Sequence, residues 1–291
     1  MTIRLTALSV ALMAGTSLYA LDVEQAQGGL VFGNDNAKST SFSWRGGLAS
    51  KQIDQGYERS ADAVFQTGGT ARFWGLGLSA NGAFAVGQEY TTYPTDNDPV
   101  TFGTREVKPG ELIQLNLKAD YLVQFDGVYG EGQPFIQLIP HIEKVTYPNQ
   151  PANDFKDEQV YFGADVWWST PLEGLDIGGS VDWNLQDQQY RGAFGAREFL
   201  QFAPYDLALW QLGNYGDSHY RRNFVDTENR GWTYLDVGAK VTTPMAWREW
   251  WTYASVDWTY WLNKDDRDYR ETLGQDVGDL VFAVGIEWRA E

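Results

Sequence analysis

From Ile113 to Phe125 every second residue is apolar: Ile113, Leu115, Leu117, Ala119, Tyr121, Val123 and Phe125. Gln114, Asn116, Lys118, Asp120 and Gln124 lie between them. Successive side chains of a strand point to opposite faces, so this spacing predicts a long strand with one apolar and one wet side. The same alternation runs through Val160 to Trp168, Leu175 to Leu185, Leu235 to Val241, Ala254 to Leu262 and Leu280 to Trp288. It is weaker through Phe42 to Leu48, Leu76 to Val86 and Ile136 to Ile142, and faintest around Ala61, Ala63 and Phe65. Ten strands are predicted, at about 40–50, 57–67, 72–86, 111–125, 133–146, 157–169, 175–186, 231–243, 250–262 and 279–288. Twelve are expected if Leu30 to Phe32 opens a further hairpin.

The predicted connections alternate in length. Short ones fall at Gly68-Gly69, 127–132, 170–174 and around Pro244; longer ones fall at 87–110, 148–156, 187–230 and 263–278. Short turns at one end, long loops at the other and an even strand number describe an all-β fold, a transmembrane up-and-down antiparallel β-barrel. In hydrocarbon every backbone N–H and C=O needs a partner, so a sheet can span only when it closes. The strand charges follow the same logic. Arg45, Lys118, Asp120, Glu143, Asp165, Asp176, Asp182, Asp236, Lys240, Asp257 and Glu287 all fall opposite the apolar positions. A Lys or Arg at mid-depth on the lipid side costs about 2–4 kcal/mol. With His141, these residues are the expected pore lining.

Composition now becomes readable. No run beyond the N-terminus approaches a spanning helix, and mean hydropathy is −0.41. Yet the chain holds 13 Trp and 16 Tyr. Trp168, Trp183, Trp258, Tyr260 and Trp288 sit towards strand ends, where amphipathic rings suit the headgroup level. The net charge of −17 argues against nucleic acid as a partner. Met1 to Ala20, with Arg4, an apolar core and Leu18-Tyr19-Ala20, reads as a signal peptide. Residues 21–39 are expected to be a periplasmic segment, 40–288 the barrel and 289–291 a C-terminal tail. The chain has no Cys, so disulfides cannot stabilise it after export.

The closing pattern Leu280-x-Phe282-x-Val284-x-Ile286-x-Trp288 resembles the alternating C-terminal signal of bacterial outer-membrane barrels, although Arg289-Ala290-Glu291 follow the aromatic here. That signal is presented to the barrel assembly machinery. The stretch Ser43-Trp44-Arg45-Gly46-Gly47-Leu48-Ala49-Ser50-Lys51-Gln52-Ile53-Asp54-Gln55-Gly56 is similar to the start of the TorF-like porins. There a strand leads through a Ser-Lys step to a turn with Gly. In that family an aromatic usually follows the Lys and Arg precedes the Gly; Gln52 and Gln55 hold those places here. The resemblance implies an outer-membrane pore and no catalytic residue. The assembly machinery, outer-membrane lipid and lipopolysaccharide are the expected partners.

Candidate chemistry is sparse. His141 and Glu143 share the wet face of one strand, as an acid/base pair or a lumenal network would. His219 sits in Asp217-Ser218-His219-Tyr220-Arg221-Arg222. Thr95-Asp96-Asn97-Asp98 and Asp265-Asp266-Arg267-Asp268 offer oxygens but lack the spacing of a Ca²⁺ loop, so solvated acids are expected there. No cofactor, metal ligand or catalytic residue is assigned. Long loops are usually functional or disordered. Within 187–230, Ala196 to Leu212 is too apolar for disorder and is expected to narrow the barrel mouth, with Phe199, Phe202, Tyr205 and Trp210 as the constriction. Inward acids exceed inward bases in this reading. A passive, cation-leaning porin for small cationic or neutral solutes is therefore expected, narrow at this strand number. Two alternatives stand beside it: an outer-membrane barrel hydrolase using His219 or His141, and a secreted soluble β-sandwich that stacks glycans on Trp.

Overall fold

The computed structural model describes residues 40–54, 57–60, 62–87, 89–95, 98–125, 136–148, 158–172, 174–186, 188–217, 230–247, 249–272 and 276–290. The expected signal peptide, the segment 21–39, the hairpin at Leu30 to Phe32 and His219 lie outside them.

The strands are β1 (Thr40–Ala49), β2 (Gln52–Asp54), β3 (Tyr57–Ser60), β4 (Val64–Phe73), β5 (Leu76–Ala85), β6 (Glu89–Thr95), β7 (Asp98–Val107), β8 (Leu112–Tyr121) and β9 (Val123–Phe125). They continue with β10 (Ile136–Thr146), β11 (Glu158–Ser169), β12 (Leu175–Asn184), β13 (Gln189–Phe202), β14 (Tyr205–Gly216), β15 (Gly231–Pro244), β16 (Trp250–Trp261) and β17 (Gly278–Ala290). Helix α1 (Lys264–Thr272) lies between the last two. One sheet of 13 strands runs β11-β12-β13-β14-β15-β16-β17-β1-β4-β5-β8-β10-β9, and β10 pairs back onto β11. Because β9 continues the line of β8, the sheet is a closed antiparallel barrel of 12 strands. The first and last strands meet along Phe42↔Ala290 to Ala49↔Ala283. A single closed sheet is not a sandwich of two, which removes the soluble β-sandwich alternative.

The strand number is thus twelve rather than ten. The two added strands come from 189–216, which was expected to be loop. Here the inward positions of β13 alternate Arg with small residues (Arg191, Ala193, Gly195, Arg197), and the outward ones include Gly192 and Ala196, so the apolar signal is diluted. Strand β4 starts at Val64 rather than 57, and Gly68-Gly69 lie within it; the turn is Trp74-Gly75, both at positive φ. A register shift between Ala83 and Phe84 turns Ile113 inward, where it packs with Ala49, Val64, Ala85, Val107 and Val281. β17 runs on to Ala290, so the expected tail at 289 belongs to the last strand.

Between the barrel strands, connections 74–75, 122–135, 170–174, 203–204 and 245–249 leave from one end. Connections 50–63, 86–111, 147–157, 185–188, 217–230 and 262–277 leave from the other. The second set carries hairpins β2–β3 and β6–β7 and helix α1. Pro140 stands inside β10 where pairing to β8 lapses between Asp120 and Val123, a place where its missing N–H breaks no ladder bond.

Burial is inverted relative to a water-soluble protein. Outward Phe162, Val181, Phe194, Phe282 and Val284 are each more than half exposed, while inward Asp182, Asn184 and Asp236 are 0–1% exposed. A wall greasy outside and polar inside suits surroundings of lipid.

Candidate functional site

The strand alternation that lines the interior fills it with charge. Arg45, Lys118, Asp120, His141, Glu143, Asp165, Asp176, Asp182, Asp236, Lys240, Asp257 and Glu287 all stand on inward-facing positions. Arg72, Arg191 and Arg197 join them, from a strand whose start was misplaced and from one taken as loop. The parity of Tyr190, Gly192, Phe194 and Ala196 against Gln189, Arg191, Ala193 and Arg197 was the available signal for the last two.

The centre of the network is Arg191. Its Nε donates to Asp182 at 2.9 Å and its Nη2 to Glu143 at 2.8 Å, bridging β12 and β10 from β13. Asn116 also donates to Glu143. His141 Nε2 meets Asp182 Oδ1 at 2.8 Å, while Nδ1 faces the Ile139 carbonyl at 3.3 Å and Asp165 at 3.8 Å. Lys118 lies 3.7 Å from Asp165. Further round, Arg72 pairs with Asp120 at 2.7 Å, Arg197 with Asp176 at 2.9 Å and Lys240 with Glu287 at 3.1 Å. Arg197 also stacks over Trp167, and Arg191 over Tyr161. Asp236 is held by neutral donors, Asn214 at 3.2 Å and Thr259. Asp257 Oδ1 has no hydrogen-bond partner.

Two inward glycines let these pairs form. In register, His141, Gly163 and Asp182 make one row across β10, β11 and β12. A Cβ on Gly163 would overlap the Asp182 carboxylate and the Val181 carbonyl. Arg72, Gly77 and Asp120 repeat the arrangement across β4, β5 and β8, where a Cβ on Gly77 would sit 2.5 Å from Asp120. A glycine on the middle strand is what allows acid and base two strands apart to touch.

At the end bearing the long connections, α1 reaches inward. Asn263 caps it by accepting the Asp265 N–H at 2.9 Å, and Lys264 and Asp268 pair one turn apart. Arg270, fully buried, stacks on Trp261 and meets Asp279 at 2.7 Å; Lys51 meets the same carboxylate at 2.7 Å. Asp265 and Asp266 thus form a helical first turn, where acids favour the dipole.

Among the described residues the network leaves small cavities. Lys118, His141, Glu143, Asp165, Ser180 and Asp182 enclose a cavity of about 20 Å³, room for a water. A second, of about 10 Å³, lies between Arg45, Gln52, Gln66, Gln114 and Tyr253. His141 and Glu143 do not pair with each other; each joins the lumenal network through another partner. Ser180 lines the same cavity as His141 and Asp182, but both ring nitrogens face oxygen acceptors. The Ser180 hydroxyl makes no hydrogen bond and so does not engage that ring.

The expected constriction loop is wall instead. Phe199, Phe202, Tyr205 and Trp210 belong to hairpin β13–β14, with Phe202 and Tyr205 about half exposed beside its turn. Trp210 alone of these is fully buried inside.

No protein-family profile and no curated protein matches the chain. Among solved structures it is similar to the KdgM porin, at 10% identity over 85% of this chain and 98% of that one, with a TM-score of 0.47. It is similar to the NanC porin at 9% identity, 85% and 98% coverage and 0.46. An outer membrane channel from Pseudomonas putida F1 matches at 10% identity, 87% and 96% coverage and 0.44. The twelve-strand closure rests on the strand pairing above, and these likenesses say nothing about what passes through the lumen.

Proposed function

We propose that the chain is an outer-membrane β-barrel of porin type, a narrow passive channel for small solutes that leans towards cations. One observation carries this reading: a closed barrel with an apolar outside and a charged inside. Such a wall is stable across a bilayer, and its polar interior is the one wet path through it. Among the described residues the wall strands carry more inward acids than inward Lys and Arg, and an acidic lining favours cations in that path. Thr40 and Ala290, where the first and last barrel strands begin and end, lie at the end with short connections, and in this reading that end faces the periplasm. Outer-membrane lipid, lipopolysaccharide and the barrel assembly machinery are the partners this location entails. The ionic network and α1 stand in that path, so movement of either would widen it.

Planar-bilayer recording of the refolded chain tests the reading. Stepwise currents with K⁺ preferred over Cl⁻ are expected. Inserted, heat-modifiable protein that never conducts would sink the channel, and anion preference would sink the selectivity.

A further inference from the structure

On the outer wall two polar side chains stand beside each other with no partner among the described residues. Trp210 and Leu212 are buried inside the barrel, so Gln211 between them points outwards, midway along β14. Arg197 is buried inside, so Glu198 points outwards from β13. Glu198 is in register with Leu209 and Gln211 with Ala196, which makes the two side chains diagonal neighbours on one face. Elsewhere on that face some polar groups find partners. Thr67 donates to the Arg45 carbonyl at 3.0 Å, and Lys144 pairs with Glu158 at 2.7 Å near the long connections.

We infer that this patch is the contact between two copies of the chain in the membrane. The inference rests on the reading that the wall faces lipid. There an amide and a carboxylate left open are costly, and no water competes for them. A two-fold axis between the residues lets Gln211 of each copy donate to Glu198 of the other, a self-complementary match of donor and acceptor. Ala196, in register with Gln211, adds little bulk beside the patch and lets two walls approach closely. The occupant is a second copy because the patch supplies both halves of the contact.

The chain has no Cys, so single reporters are clean. Glu198→Cys and Gln211→Cys are made separately, mixed, and refolded into vesicles of phosphatidylethanolamine and phosphatidylglycerol with a short bismaleimide. A mixed adduct of twice the chain mass is expected, absent with Leu117→Cys on the outer face of β8. Gln211→Leu should weaken self-association roughly tenfold. Folded, heat-modifiable protein that stays monomeric, cross-links equally at Leu117→Cys, or gives an adduct of another mass overturns the dimer alone. Failure to insert, with no heat-dependent gel shift, overturns the lipid-facing reading and the dimer with it.

Discussion

Arg191 holds two carboxylates, from β12 and from β10 on the same side of β13, through its planar fork. Arg191→Met would leave Glu143 and Asp182 buried without their cation. Loss of one partner of a buried pair costs on the order of 3–5 kcal/mol, so the urea midpoint of the refolded barrel should drop sharply. Gly163→Ala tests the same row from its middle strand. Its methyl meets the fixed Val181 carbonyl as well as Asp182, and such overpacking costs typically 1–3 kcal/mol. Alanine at outward Gly192, where only a backbone oxygen at 3.0 Å and the Val181 methyl lie near, should cost less. The acids of this network were visible in the sequence because they interrupt apolar alternation. Their partners were not: an arginine on β4 or β13 looks the same from sequence whether it faces an acid or water. Gly163 and Gly77 carry no signal of their own, since their role exists only between neighbouring strands.

At the scale of elements, strands with bulky outward residues were legible and strands with glycine and alanine were not. β16 and β17 announce themselves through Val256, Trp258, Phe282 and Val284, whereas β13 hides behind Gly192, Gly195 and Ala196. Helix α1 was read as an acidic loop because it is polar on every side. Its stability comes from its cap, its one-turn ion pair and the docking of Arg270, none of which alternates. Since Arg270 brings α1 onto Trp261 and Asp279, replacing residues 264–272 by a Gly/Ser linker should raise single-channel conductance in planar bilayers. Unchanged conductance would show that α1 does not obstruct the path.

For the whole molecule, the charge of −17 divides into acids that the interior neutralises and acids that it does not. Asp120, Glu143, Asp176, Asp182 and Glu287 each meet a base at 2.7–3.1 Å. Their formal charge therefore does little to attract ions. Asp165 is held more loosely, 3.7 Å from Lys118 and 3.8 Å from His141, and Asp165→Asn should lower the K⁺ over Cl⁻ permeability ratio measured from reversal potentials. The same change on a barrel whose selectivity comes from its loops would leave that ratio where it was.

The bridges of the interior also bear on how the chain reaches its final form. Arg72 to Asp120 passes over β5, His141 to Asp182 over β11, Lys240 to Glu287 over β16, and Arg191 to Glu143 over two strands. A flat hairpin can complete its ladder bonds, but its charges cannot meet until the sheet curls. Every incomplete intermediate would carry these ions unpaired towards the bilayer. Curling, ion pairing and joining of β1 to β17 are therefore coupled, and a half-built wall has no resting place in lipid.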